Sequence, residues 1–145
     1  MNEEGALDYR IEAITLPVSD VDRAKEFYLK AGWNLDVDSQ LTPEFRVVQF
    51  TPPGSPASIS FGTGMPQSAP GTYVNTYLVV SDIEAAHREL TERGIEISDI
   101  FHFGEQGQMP GVDPNRGDYG SYATFADPDG NTWLVQEVPS RASGS

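Results

Sequence analysis

Few side chains in this chain can move a proton near neutral pH. There are two histidines, His87 and His102, and no cysteine. Without cysteine, disulfides, thiolate nucleophiles and Cys-based zinc sites are excluded. His87 sits beside Ala86 and four residues after Ile83, a helical spacing that places it at a packed helix border. His102 opens a long segment, Phe101–Tyr119, and is the candidate catalytic acid or base, because an unperturbed imidazole titrates close to neutrality. The competing role for His102 is a hydrogen bond that anchors its own loop. Asp127-Pro128-Asp129-Gly130 looks catalytic by composition but reads as a turn, since Pro sets φ and Gly accepts positive φ.

Groups suited to binding are more numerous. Tyr73, Asn75 and Tyr77 recur at every second position, so in a strand they share one face and offer aromatic walls around an amide. By the same alternation Thr15, Ser60, Thr132 and Gln136 face the open side of their strands. These side chains hydrogen-bond without charge, which fits ligand binding better than proton transfer. Tyr122 is a further ligand-binding candidate on a strand whose facing, like that of Arg46, alternation leaves open.

The elements that carry these residues repeat. Leu16-Pro17-Val18-Ser19-Asp20-Val21 returns as Leu78-Val79-Val80-Ser81-Asp82-Ile83, 62 positions later. In each copy a β-rich run ends in Ser-Asp, whose short side chain can cap a following helix. Apolar residues then recur at helical spacing, at Val21, Ala24, Phe27, Tyr28 and Ala31 and again at Ile83, Ala86 and Leu90. A glycine closes each helix and a strand follows, Trp33–Asp38 or Ile95–Ile100. Each copy ends in a strand pair, 45–51 with 57–62 and 120–126 with 131–138. The turn glycines Gly54 and Gly130 lie 76 apart, so the second copy carries 14 extra residues (76 − 62) around 101–119.

The pattern predicts an α+β fold of two tandem βαβββ modules, forming a curved mixed sheet around a cleft with helices on the outer face. The boundaries are a tail at 1–10, a first module at 11–64, a linker at 65–71, a second module at 72–138 with an inserted loop at 101–119, and a tail at 139–145. Ile14, Leu16, Val18, Ile59, Phe61, Val74, Leu78, Val80, Trp133 and Val135 are assigned to the helix side. A loop of that length without secondary structure is expected to act as a lid over the cleft.

With 145 residues and 38% hydrophobic content the chain can bury a core. A net charge of −13 repels phosphate backbones and anionic lipid, so neither nucleic acid nor a membrane is an expected partner. No signal peptide or apolar run of about 18 residues is present, and the cytoplasm is the expected compartment.

Residues 16–28 and the run Phe125-Ala126-Asp127-Pro128-Asp129-Gly130-Asn131-Thr132-Trp133, together with the repeat, resemble the vicinal oxygen chelate superfamily. That superfamily includes glyoxalase I, extradiol dioxygenases, fosfomycin-modifying enzymes and bleomycin-binding resistance proteins. The resemblance covers 11–138. It implies metal ligands at the positions of Ala13, Ser58, Asn75 and Leu134, and these four residue types are poor or impossible ligands. Glu12 and Glu137 lie nearby on the wrong parity, and only a bulge could bring them in. The resulting expectation is a metal-free, cofactor-free protein that binds or sequesters a small organic molecule of cationic or aromatic character. The alternative is a metal-independent lyase, isomerase or tailoring enzyme, and after it a metal-dependent lyase or dioxygenase with displaced ligands. The resemblance also implies a homodimer.

Overall fold

The computed structural model describes residues 7–142, so the outer parts of both expected tails lie outside the described residues. In the first module β1 (Ala13–Thr15) leads to α1 (Val21–Lys30), then β2 (Asn34–Thr42), β3 (Phe45–Thr51) and β4 (Ser58–Thr63). In the second, β5 (Thr76–Val80) leads to α2 (Ile83–Glu92), then β6 (Phe101–Gly104), β7 (Gly107–Pro110), β8 (Ser121–Ala126) and β9 (Thr132–Glu137). A short helical turn follows at Pro139–Arg141. The result is α+β with two mixed sheets, ordered β1-β4-β3-β2 and β5-β9-β8-β6-β7. In each, the module's first strand runs parallel to its last and the remaining pairs are antiparallel.

Both helices begin as the Ser-Asp repeat predicts. The Asp20 carboxylate accepts from the Arg23 amide, and that of Asp82 from the Ala85 amide. Both stop at a glycine in the left-handed region, Gly32 (φ 91°) and Gly94 (φ 84°), where a side chain would be strained.

The helix-facing side chains of both sheets meet in one core. Phe50 and Phe61 of the first sheet lie 6.0 Å from the Tyr28 ring of α1. Tyr28 in turn lies 6.2 Å from Trp133 of the second sheet, and Trp33 lies 5.1 Å from Trp133 edge-on. Tyr28, Trp133, Asp127 and Asn131 pair their polar groups inside this seam, whereas Asp129 Oδ2 is buried beside it without a partner among the described residues. Trp133 Nε1 donates to the Tyr28 hydroxyl at 3.0 Å, which donates to Asp127 Oδ2 at 2.9 Å. Asn131 Nδ2 donates to Asp127 Oδ2 and to the Pro17 carbonyl. Burial, then the Asp127 charge, push the Tyr28 hydroxyl far above its ordinary pKa, so it stays a neutral donor. Asp127 Oδ1 accepts the amides of Asp129, Gly130 and Asn131, so this acidic run is a turn, as its composition predicts.

Two elements differ from the sequence reading. The strand expected at 95–100 contracts to a single bridge, Ile97 to Phe125. The segment expected as an irregular lid holds a hairpin instead. Strand β6 joins β8 at Phe101–Tyr122 and His102–Ser121, and β7 folds back on β6, widening the second sheet. The missed signal is the short run of alternating residues on either side of Glu105-Gln106, which pairs as a hairpin.

The rest of the insertion is tied down by charge. Arg116 donates to both oxygens of Glu137, at 3.1 and 2.6 Å. Glu137 is fully buried and also accepts from the Ile83 amide, a free N–H of the first turn of α2. Glu137 thus faces the helix side, as its parity predicts.

Candidate functional site

Each sheet has a second side, turned away from the shared core. On the first sheet it is polar. Thr15 pairs with Ser60 across β1 and β4, and Ala13 with Ser58. Ser60 lies 3.5 Å from Gln49 Oε1, and Ser58 shares a 2.6 Å hydrogen bond with Thr51. The Thr51 hydroxyl also donates to the carboxylate of Asp36. Asp36 was not legible as a site residue. A register shift between Leu35 and Val37 breaks the alternation of β2 at that residue.

The open side of the second sheet is aromatic. Pairing aligns Val79, Gln136, Tyr122 and Phe101 in one row and Tyr77, Leu134 and Thr124 in the next. The Phe101 and Tyr122 rings stack at 5.6 Å. Phe103 stands nearly perpendicular to Phe101, at 87° and 5.9 Å. Phe103 and Tyr77 are 61% and 60% exposed, whereas Gln136 at the centre is only 8% exposed. Beside the hairpin is an open concavity of about 550 Å³ that Phe101, Gln108, Pro110, Thr124, Ser98 and Asp99 help line.

The sequence candidates distribute unevenly over these surfaces. Thr15 and Ser60 lie on the polar side. Tyr77, Gln136 and Tyr122 lie together on the aromatic side. Thr132 and Asn75 sit at its edge, where the Thr132 hydroxyl donates to Asn75 Oδ1 at 3.2 Å. Tyr73 does not join the row. Its ring packs against the core, while Val74, assigned to the helix side, is 76% exposed. The cause is Asn75, which takes φ 52° and breaks strand alternation, so β5 begins only at Thr76.

His102 is also turned away. As the neighbour of Phe101 and Phe103 in β6, it projects to the opposite side of the strand. There its Nδ1 lies 2.8 Å from the Gly111 carbonyl oxygen, a contact that anchors the base of the hairpin. Nearby, Asp113 accepts the Gly117 and Asn115 amides, which hold its carboxyl below the ordinary range. His87 contacts the Ser98 carbonyl at 3.1 Å, a packing role at the helix border.

Residues 10–135 match the Glyoxalase/Bleomycin resistance protein/Dioxygenase superfamily. The chain belongs to this superfamily. A glyoxylase-like domain-containing protein of Didymella fabae is 27% identical over 135 residues, covering 91% of this chain and 96% of that protein. The crystal structure of a glyoxalase/bleomycin resistance protein from Streptomyces sp. CB03234 is 29% identical and superposes with a TM-score of 0.66, covering 88% of this chain and all of the other. TnmS3, an antibiotic binding protein from the same Streptomyces, is 28% identical with a TM-score of 0.70, covering 92% of this chain and 98% of its own.

The superfamily's metal chemistry finds a poor donor set here. Of its four ligand positions, Ala13 and Leu134 bear no side-chain donor, and Asn75 and Ser58 bear weak neutral ones already hydrogen-bonded to Thr132 and Thr51. Among the described residues no three His, Cys, Asp or Glu side chains gather as a metal site. The residues present do not fit a divalent ion. Among the described residues, no helix is long and apolar enough to cross a membrane.

Proposed function

We propose that this protein binds a small organic molecule against the open side of its second sheet and holds it without a metal. The observation that carries this reading is the aromatic cluster of Phe101, Phe103 and Tyr122 beside Gln136, with Phe103 exposed and the other two rings half-buried. A surface of aromatic rings around one polar group is the usual makeup of a small-molecule site. The cluster's rows carry no Asp, Glu, His or Lys, so they offer contact and orientation rather than acid–base chemistry. An antibiotic-binding relative of the same fold supports the same direction.

The opposite wall of the site comes, in this reading, from a second copy of the chain. The helix sides of both sheets meet in one core, and no hydrogen bond between described residues joins the two open sides. A polar sheet bearing Asp36 would then face an aromatic one. The test is titration of the purified protein with a panel of aromatic and cationic organic molecules, followed by recovery of the ligand. Saturable binding with the ligand returned unchanged, and no retained metal by elemental analysis, is the expected result. Near-stoichiometric metal surviving dialysis, or conversion of the ligand, would overturn the metal-free binding reading.

Metal-independent turnover is the second reading, and it rests on Asp36. Its carboxylate, linked through Thr51 to Ser58, is an ionisable group on an open side, and His102 is turned away. If turnover occurs, Asp36→Asn should abolish it and His102→Ala should not.

A further inference from the structure

The geometry points to a second binding site, in the seam between the modules, for a single aromatic ring carrying a short alkylammonium chain. It lies on the helix side of the second sheet, away from the open side described above, and does not depend on the functional reading placed there.

The argument comes from the repeat. The 62-residue offset relates Leu16, Val18, Ala24 and Tyr28 of the first module to Leu78, Val80, Ala86 and Leu90 of the second. In the first module these four are sealed, at 0%, 3%, 0% and 0% exposed. In the second all four are only half-buried. One exchange between the copies accounts for the difference. Tyr28 fills the space between α1 and the turn at 127–130 of the other module, and its hydroxyl reaches Asp127. The related space lies between α2 and the turn at 52–54 of the first module. Leu90 stands there in place of a tyrosine, so the packing lacks a ring. A cavity of about 250 Å³ results, lined by Leu78, Val80, Ala86 and Leu90 of the second module and by Pro52 and Pro53 of the first. An apolar cavity of about 150 Å³ stays dry and takes benzene, so this one has room for a ring and a short chain.

Charge sets the chemistry of the chain. Of the described residues lining the cavity, Glu89 alone is ionisable, and it is exposed, which puts its carboxylate at the mouth. By the same offset it replaces Phe27. Arg93 comes within 3.4 Å of it, but both side chains are exposed. An exposed pair of this kind contributes little, so the carboxylate is available to a ligand. The guanidinium also lies over Gly32, where a Cβ would stand 2.7 Å from its central carbon. An alkylammonium titrates near pH 10, about where a lysine does, and is charged at neutral pH. With its ring in the cavity, a two-carbon chain carries that charge out toward Glu89. A carboxylate or phosphate in the same place would be repelled by Glu89 and by the net charge of −13.

The experiment is calorimetric titration of the full chain with phenethylamine, and with phenethyl alcohol, which keeps the ring and chain but has no charge. The expected result is saturable binding of both, with the amine preferred about three- to fivefold at low salt, the scale of an exposed ion pair. Glu89→Gln should bring that ratio to about one and leave the affinity for the alcohol unchanged. Leu90→Tyr gives the second module the ring that Tyr28 gives the first, and should abolish binding of both compounds. Ala86→Leu, a smaller filling of the same space, should weaken both by the same factor. Thermal melts check that each variant is folded. An unchanged ratio in Glu89→Gln overturns the ammonium assignment. Affinities that survive both fillings place the ligand on the open side or elsewhere and overturn the seam site. Failure of both compounds to bind also overturns it, and leaves the open-side reading to its own panel. If neither binds and Leu90→Tyr alters the sedimentation of the protein, a second copy fills the cavity and the proposal falls.

Discussion

At the scale of single residues, hydrogen bonding decides what each polar group is for. Tyr28 joins the modules because its hydroxyl receives from Trp133 and donates to Asp127 inside the seam. Tyr28→Phe keeps the ring but leaves Trp133 Nε1 without an acceptor and removes a donor from Asp127. Unpaired buried groups cost about 1–3 kcal/mol, so a loss of that size is expected in urea unfolding. Asn75 illustrates a backbone role that composition obscures. Its φ of 52° is expensive for most side chains, so Asn75→Ala should cost about 1–2 kcal/mol. Asn75→Gly should cost less, because glycine adopts that conformation freely. Equal melting temperatures for the two variants would refute a conformational role.

At the scale of elements, two ion-paired clusters hold pieces that propensity alone would leave loose. Arg116 fastens the end of the insertion to the buried Glu137 and thereby to the start of α2. Removing it strips a carboxylate of charged hydrogen bonds worth about 1.5–3 kcal/mol, so Arg116→Ala should lower stability by that order. Amide exchange should rise first at 111–119. In the first module, hydrogen bonds from Arg46 and then from Lys25 hold the Asp38 carboxyl at about 2. An unfolded Asp titrates at about 3.9, so the native state favours the charged form. The associated stability is complete above about pH 4 and is lost as the pH falls toward 2. Asp38→Asn should therefore destabilise the protein at pH 7 and make little difference at pH 2, as read by denaturant midpoints at each pH.

At the scale of the whole molecule, the two modules turn their helix sides inward and leave one polar and one aromatic open side. Pairing of unlike sides between two chains predicts a dimer, which sedimentation equilibrium tests. Because the aromatic side holds the exposed rings, a charge placed there, as in Tyr77→Asp, should weaken any such assembly. A monomer at every accessible concentration would remove the second wall from the proposed site.

Much of this was legible in the residues themselves. Local signals are short-range: Ser-Asp caps, glycine stops, helical spacing and the Asp-Pro-Asp-Gly turn each depend on a few neighbouring residues. The copies at Asp20 and Asp82 therefore announce the module, and alternation correctly puts Ile59, Phe61, Trp133 and Val135 in the core. Tertiary structure decided what depends on register and on distant partners. A left-handed Asn75 turns Tyr73 into the core, and a bulge turns Asp36 outward. Pairing of 101–110 converts an expected lid into a hairpin, which sends His102 to one side and Phe101 with Phe103 to the other. One residue of slip reverses every side chain beyond it. Local composition does not contain that shift, because the partner strand that sets it lies elsewhere in the chain.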